Sequence, residues 1–230
     1  MTEVNHDDAY LRTAFLERVA HELRGPAGVI HGALQELEAA LDQQPAGDHE
    51  VFLAMAKRGL RRILRTADRL QNTGQLERGP LALSPTSCDL IALVKQAVQE
   101  AQAIEGRKKV SVDIDAPGEA AVCVVDSHWM GLALFELASN AIRHSIERMC
   151  VAIKPEPAGG YRITFTDDAR ASVEFGPARF RPTRDNRGLG LGLSLASDVL
   201  AAHRCALHTD YGRTTGQGFG ARVSVIVPAD

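Results

Sequence analysis

Apolar residues recur along this chain in two different rhythms, and the change falls near residue 80. Leu16, Ala20, Leu23, Ala27, Ile30, Leu34, Leu37 and Leu41 advance by alternating steps of four and three, the seam of a helix packed in coiled-coil fashion. That seam predicts a helix of about 30 residues. After the breaker QQPAGD, Leu53, Ala56, Leu60, Ile63, Ala67 and Leu70 repeat the alternation, and the second helix is expected to end near Gly74 and Gly79-Pro80. Two such helices on a short loop make an antiparallel hairpin. Its core is too small to stand alone, so two hairpins are expected to bury both seams as a four-helix bundle in a homodimer. A plain coiled-coil spacer satisfies the same seams.

Beyond residue 80 the period shortens and alternates. Leu90 to Ile104 reads as an amphipathic helix, Lys109 to Ile114 and Ala121 to Val125 as strands, and Trp129 to His144 as a second helix. Strands are predicted at Met149 to Ile153 and Tyr161 to Thr166, a helix at Ser194 to His203, and closing strands near Cys205 to Thr209 and Arg222 to Val227. This predicts an α+β chain: a helical hairpin over 1–80, then a two-layer α/β sandwich over 81–230 with one mixed sheet covered by helices on one face.

Composition narrows the functional classes. An apolar fraction of 45% and a charged fraction of 24% in 230 residues fit a soluble globular chain. A net charge of −3 and a pI near 6.2 leave no electrostatic footprint for nucleic acid. Arg58, Arg61, Arg62, Arg65 and Arg69 cluster at helical spacing and read as a solvated face. Cys88, Cys123, Cys150 and Cys205 are widely spaced with no CxxC pair, so reduced thiols are expected rather than a zinc site or a disulfide framework. No apolar run approaches the ~20 residues that cross a bilayer, and MTEVNHDD lacks the pattern of a signal peptide. The expected location is cytoplasmic, without membrane contact. Few residues precede Phe15, so input is expected from a separate sensor protein or from a longer parent chain.

Three stretches carry chemistry. In Phe15 to Pro26 (FLERVAHELRGP), His21 lies one helical step of about 100° beyond the seam residue Ala20, at the flank of the seam and open to solvent. Glu22 beside it can take a ring proton while the other nitrogen attacks an electrophile. Pro26 cannot donate to the Glu22 carbonyl and loosens the turn bearing both groups. In Glu136 to Ser145 (ELASNAIRHS), Glu136, Asn140, Arg143 and His144 recur at steps of three and four and form one polar stripe, a pattern also common on solvated faces. In GLGLGL, three alternating glycines (Gly188, Gly190, Gly192) open a helix, so that backbone amides and the positive helix end can approach a polyphosphate. The run is neither a Walker A loop nor a Rossmann fingerprint.

Together these stretches resemble the H, N and G boxes of bacterial sensor histidine kinases, over about residues 10 to 228. The resemblance implies the dimerisation and phosphotransfer hairpin plus the ATP-binding sandwich that histidine kinases share with gyrase-like ATPases. It implies ATP and Mg²⁺, with His21 as phosphoacceptor and Glu22 as proton acceptor. Asn140 would meet Mg²⁺ with support from Glu136, Arg143 and His144 the phosphates, and Asp167 the adenine amino group. Gly188, Gly190, Gly192 and Leu193 would frame the nucleotide. The partner it implies is a response regulator receiver domain. Residues 176 to 187 suit a lid over nucleotide, and GQGFGARVSVIVP resembles the family's last glycine motif.

The chain departs from the family in two places. Where the family carries D-x-G-x-G, the sequence reads Asp167-Asp168-Ala169-Arg170-Ala171, and a Cβ at a position needing positive φ costs about 1 kcal/mol. Four residues after His21 stands Gly25, where phosphatase-active relatives carry Thr or Asn to orient water, so weak phosphatase activity is expected. Two rival classes stay open: a non-catalytic dimeric phosphotransfer scaffold with a degenerate ATP site, favoured by the alanines, and an anti-sigma type serine kinase, which has no need of a histidine-bearing hairpin.

Overall fold

A computed structural model describes residues 6–43, 49–105, 110–169, 189–211 and 220–229. The chain divides into two compact units, residues 1–74 with 179–191, and residues 75–178 with 192–230.

The first unit holds helices α1 (His6–Gln43) and α2 (His49–Glu77), with Pro26 inside α1. Helix α1 is 38 residues long, longer than the seam predicted, because helical backbone continues on the N-terminal side of Leu16. Gly59 on α2 lies against α1 so closely that a Cβ there would come within 2.7 Å of Ile30 Cγ1 and 2.8 Å of the Pro26 carbonyl oxygen. Pro26 and Ala33, seven residues apart, are buried, as are Gly59, Thr66 and Thr73 at the same interval. The seam residues Leu16, Leu34, Leu53 and Leu60 are instead exposed, with Leu16 at 64%. In a single chain the helices thus meet through small residues, and a leucine stripe is left facing water.

The second unit is built on a mixed five-stranded sheet, order β2-β4-β5-β7-β6, formed by β2 (Ser111–Asp115), β4 (Arg148–Pro155), β5 (Tyr161–Asp167), β6 (Ala206–Tyr211) and β7 (Ala221–Val227). Only β2 and β4 run parallel; the other pairs are antiparallel. Met149, Val151 and Ile153 on β4 and Ile163 and Phe165 on β5 are buried at every second position, the period-2 pattern of a sheet with one covered face. Helices α3 (Leu90–Glu105), α4 (Ser127–His144) and α5 (Gly192–Ala202) complete the unit. Helix α4 is nearly all buried from Trp129 to Ile142, which makes it the centre of the core.

One strand departs from expectation. β3 (Val122–Val125) does not join the large sheet but pairs antiparallel with β1 (Thr86–Asp89) in a separate ribbon. β1 (TSCD) carries no apolar alternation, so nothing in its composition announces a strand.

Asp126 ties this ribbon to the core. Its Oδ1 accepts the amides of His128 and Trp129 at 3.1 Å each, the N-cap of α4, and its Oδ2 accepts the Ser84 amide at 2.8 Å. Burial works to raise this carboxyl, but the Ser84, Trp129 and His128 amides outweigh it, so its pKa lies below the ordinary aspartate value. The Asp126 amide in turn donates to His203 Nε2 at 3.1 Å.

Candidate functional site

A shallow cleft, open to solvent, lies in the second unit between α4, the end of β5, the first turn of α5 and the start of β7. Its walls are apolar: Leu137 and Ala141 on α4, Phe165 on β5, Leu193 on α5, Ala221 and Val223 on β7. Three polar side chains interrupt them, Asn140, His144 and Asp167. A pocket with apolar walls and a few fixed polar groups suits a flat ligand with a hydrogen-bonding edge.

Asp167 is the best-defined group. It is 6% exposed, and its Oδ1 accepts the Ala169 amide at 3.0 Å and the Ala221 amide at 2.9 Å. No described residue donates to Oδ2, so that oxygen is the acceptor left for whatever fills the cleft. Gly220 makes the arrangement possible. Its amide donates to the Asp167 carbonyl at 2.7 Å, and a Cβ at this position would strike Asp167 Oδ1 and come within 2.5 Å of the Ala169 backbone. Ala169 does not take positive φ, so the cost foreseen for its Cβ does not arise there. Ala171 lies outside the described residues.

Asp168 caps the neighbouring turn. Its carboxylate accepts the Ile146 amide at 2.6 Å and the Glu147 and Arg148 amides at 3.0 Å. Burial acts to raise it, and these three amides prevail and hold it below the ordinary aspartate range. The turn that follows the His144 helix end is therefore pinned to the end of β5.

The polar stripe on α4 divides. Asn140 and His144 line the cleft, whereas Glu136 and Arg143 do not. Glu136 is buried at 3% exposure within the core. Arg143 Nη2 donates to Glu105 Oε1 at 2.7 Å, at the end of α3, and the Ser139 hydroxyl donates to the same oxygen at 2.8 Å. On a helix wheel, residues 136, 139 and 143 fall within about 60° of one another, and 140 and 144 lie on the side turned toward the cleft.

The glycine run is partly described. Gly190 has φ +68, a conformation that L side chains rarely adopt, and Gly192 is the first residue of α5. Gly188 and the segment 176 to 187 lie outside the described residues.

On the first unit, His21 is exposed and Glu22 half-buried on α1, one turn and a half before the buried Pro26. Gly25 has open space around it; a Cβ there would meet nothing within 4 Å. Among the described residues no helix is long and apolar enough to cross a membrane. Nor do three or more His, Cys, Asp or Glu side chains among them gather as a metal cage. Asn140 is thus the one assigned metal ligand that faces the cleft.

No family model matches the chain. In sequence it is 25% identical over 226 residues to the alginate biosynthesis sensor protein KinB of Pseudomonas aeruginosa, covering 95% of this chain and 37% of that protein. It is 26% identical over 231 residues to the sensor-like histidine kinase SenX3 of Mycobacterium tuberculosis, covering 95% of this chain and 55% of the relative. The chain therefore spans only about a third to a half of these proteins. In fold it resembles the Acinetobacter baumannii histidine kinase AdeS, with a TM-score of 0.59 at 18% identity over 91% of this chain and 98% of that one. It also resembles the mycobacterial sensor histidine kinase MprB, with a TM-score of 0.54 at 20% identity over 63% of this chain and 97% of that one. The relatives of this chain are sensor histidine kinases, and it shares their α+β fold of helices followed by a mixed sheet.

Proposed function

We propose that the chain is an ATP-dependent histidine autokinase that phosphorylates His21 and passes the phosphoryl group to an aspartate in the receiver domain of a separate response regulator. One observation carries the reading: Asn140, His144, Asp167 and Leu193, drawn from three separate stretches of sequence, line one cleft. Residues 81–230 then serve as the ATP-binding domain and 1–80 as the dimerisation and phosphotransfer hairpin, in a cytoplasmic homodimer. The exposed leucine stripe is the surface that a second hairpin covers. Input comes from a separate sensor or from a further part of a longer protein.

Adenine enters between Phe165, Val223 and the α4 residues, and its amino group donates to Asp167 Oδ2. Guanine places a carbonyl oxygen at the same edge and is repelled by the carboxylate. Asn140 would hold Mg²⁺ through its amide oxygen, and the ion, when bound with the phosphates, would supply charge compensation during transfer. Gly190 and the α5 N-terminus at Gly192 supply backbone amides to the phosphates. His21 attacks the γ-phosphorus through one ring nitrogen, the bond from that phosphorus to the bridging oxygen of the β-phosphate breaks, ADP leaves with the electron pair, and the proton on the other ring nitrogen passes to Glu22. The protein's part is position and charge compensation.

The ion pair of Arg143 with Glu105 favours a second reading, a phosphotransfer scaffold without ATP chemistry, because it engages the cation expected at the phosphates. Incubation with γ-³²P-ATP and Mg²⁺ separates the two. Acid-labile, alkali-stable label that is absent in His21→Ala and reduced in Asp167→Asn supports the kinase. A folded protein that neither binds ATP nor takes label supports the scaffold, and acid-stable label on serine overturns both.

A further inference from the structure

Two of the four cysteines stand directly across from one another. β1 and β3 pair with Cys88 opposite Cys123, and the Sγ atoms are 3.9 Å apart. The Leu90 amide donates to the Ala121 carbonyl at 2.9 Å, which makes 90/121 a hydrogen-bonded pair. In the same register 88/123, two residues back on each strand, is another. Such pairs hold their Cα atoms about 5.5 Å apart, inside the ~4.4–6.8 Å window of disulfides. Directly opposed side chains leave the ribbon on one face, so rotation about χ1 turns the sulfurs toward each other and a small closing of the two strands completes the approach.

We infer that Cys88 and Cys123 form a reversible intramolecular disulfide, a redox-modification site in the ribbon whose two strands flank α3 and β2 in the chain. Cys88 is half-buried and Cys123 is 2% exposed, so an oxidant meets Cys88 first. With glutathione disulfide as oxidant, the Cys88 thiolate attacks one glutathione sulfur and expels the other as thiolate. The Cys123 thiolate then attacks the Cys88 sulfur and expels the second glutathione. Two protein thiols are oxidised, one glutathione disulfide is reduced to two thiols, and the two cysteine protons end on the leaving groups.

The surroundings set its rate and its lability. Burial, then the neighbouring Cys88, pushes the Cys123 thiol up to about 12, so closure is slow at neutral pH and quickens as pH rises. A hydrogen-bonded strand pair holds its Cβ atoms wider than an ideal disulfide, and strain makes the bond easier to reduce. Cys205, also pushed up to about 12 by burial, donates to the His203 carbonyl at 3.7 Å and has no opposed partner in the ribbon. The bond closes a ring around α3 and β2, which includes the Glu105 that holds Arg143.

The inference is independent of the kinase reading and is tested on the whole chain at low protein concentration. After equilibration in glutathione buffers of graded composition, free thiols are counted with a maleimide-polyethylene glycol and peptides are mapped without reduction. Two thiols should disappear together and a Cys88–Cys123 peptide should appear, both reversed by dithiothreitol. The thermal midpoint should rise by about 5 °C on oxidation. Cys88→Ser should abolish link and rise, and Cys205→Ser should keep both. Stable glutathione on Cys88, a link to Cys150 or Cys205, disulfide-joined dimers, or four thiols still reactive after oxidation each overturn it.

Discussion

The two units solve the burial problem in opposite ways. The second packs α3, α4 and α5 with its sheet until Met130, Leu134, Phe135, Met149, Phe165 and Leu195 are all at 1% exposure or less. The first leaves Leu16, Leu34, Leu53 and Leu60 in water and brings its helices together through Gly59 against Ile30 and Pro26. A sheet with covering helices closes its own core within one chain, whereas a two-helix hairpin has only one neighbour for each stripe. The cleft therefore closes within one chain, whereas the leucine stripe of the first unit is left uncovered by its own chain.

Charging the leucine stripe is the strongest way to break this comparison. The double variant Leu53→Glu, Leu60→Glu should convert dimer to monomer in light scattering while nucleotide affinity of the cleft, read by calorimetry, stays within about twofold. Loss of nucleotide binding would show that the cleft is not self-sufficient. Next is Asp126→Ala, which removes the α4 N-cap and strands the Ser84 amide. A loss of about 3 kcal/mol is expected in urea unfolding, confined to the second unit. Because its folded pKa lies below the ordinary 3.8, the contribution of Asp126 is present above that pH and fades as pH falls through the folded value. Wild type, but not the variant, should show that share of acid lability.

Gly59→Ala sharpens the other side. Its Cβ meets the Pro26 carbonyl backbone, which cannot step aside, so the hairpin should lose about 2 kcal/mol despite a better helix former. Circular dichroism melts would register this in the helical signal. The smallest effect is at Gly25, where the added Cβ meets nothing: Gly25→Ala should stabilise the helix by about 1 kcal/mol. Gly25→Thr, whose Cβ likewise meets nothing within 4 Å, should speed dephosphorylation of a phosphorylated regulator if the missing side chain is what limits that reaction.

Periodicity made the long helices and the alternation of β4 and β5 legible, because each is a property of consecutive residues. It was silent on β1, since TSCD is a strand only by virtue of its pairing with residues 122–125. The α4 stripe was legible as a stripe but not as two faces. The division depends on Glu105, 38 positions from Arg143, which no local pattern connects to it. Asp167 could be singled out from its neighbours, yet Gly220 and Ala221, which fix its Oδ1, lie more than 50 residues away. The seams were read correctly as apolar stripes, but which stripe faces the sister helix was decided by the small residues at 59, 66 and 73.

The contact between Ser84 and Asp126 has a mechanical meaning. The backbone leaving α2 is anchored at Ser84 to the carboxylate that begins α4. A displacement of that backbone therefore reaches the first turn of α4 through a single hydrogen bond to its cap.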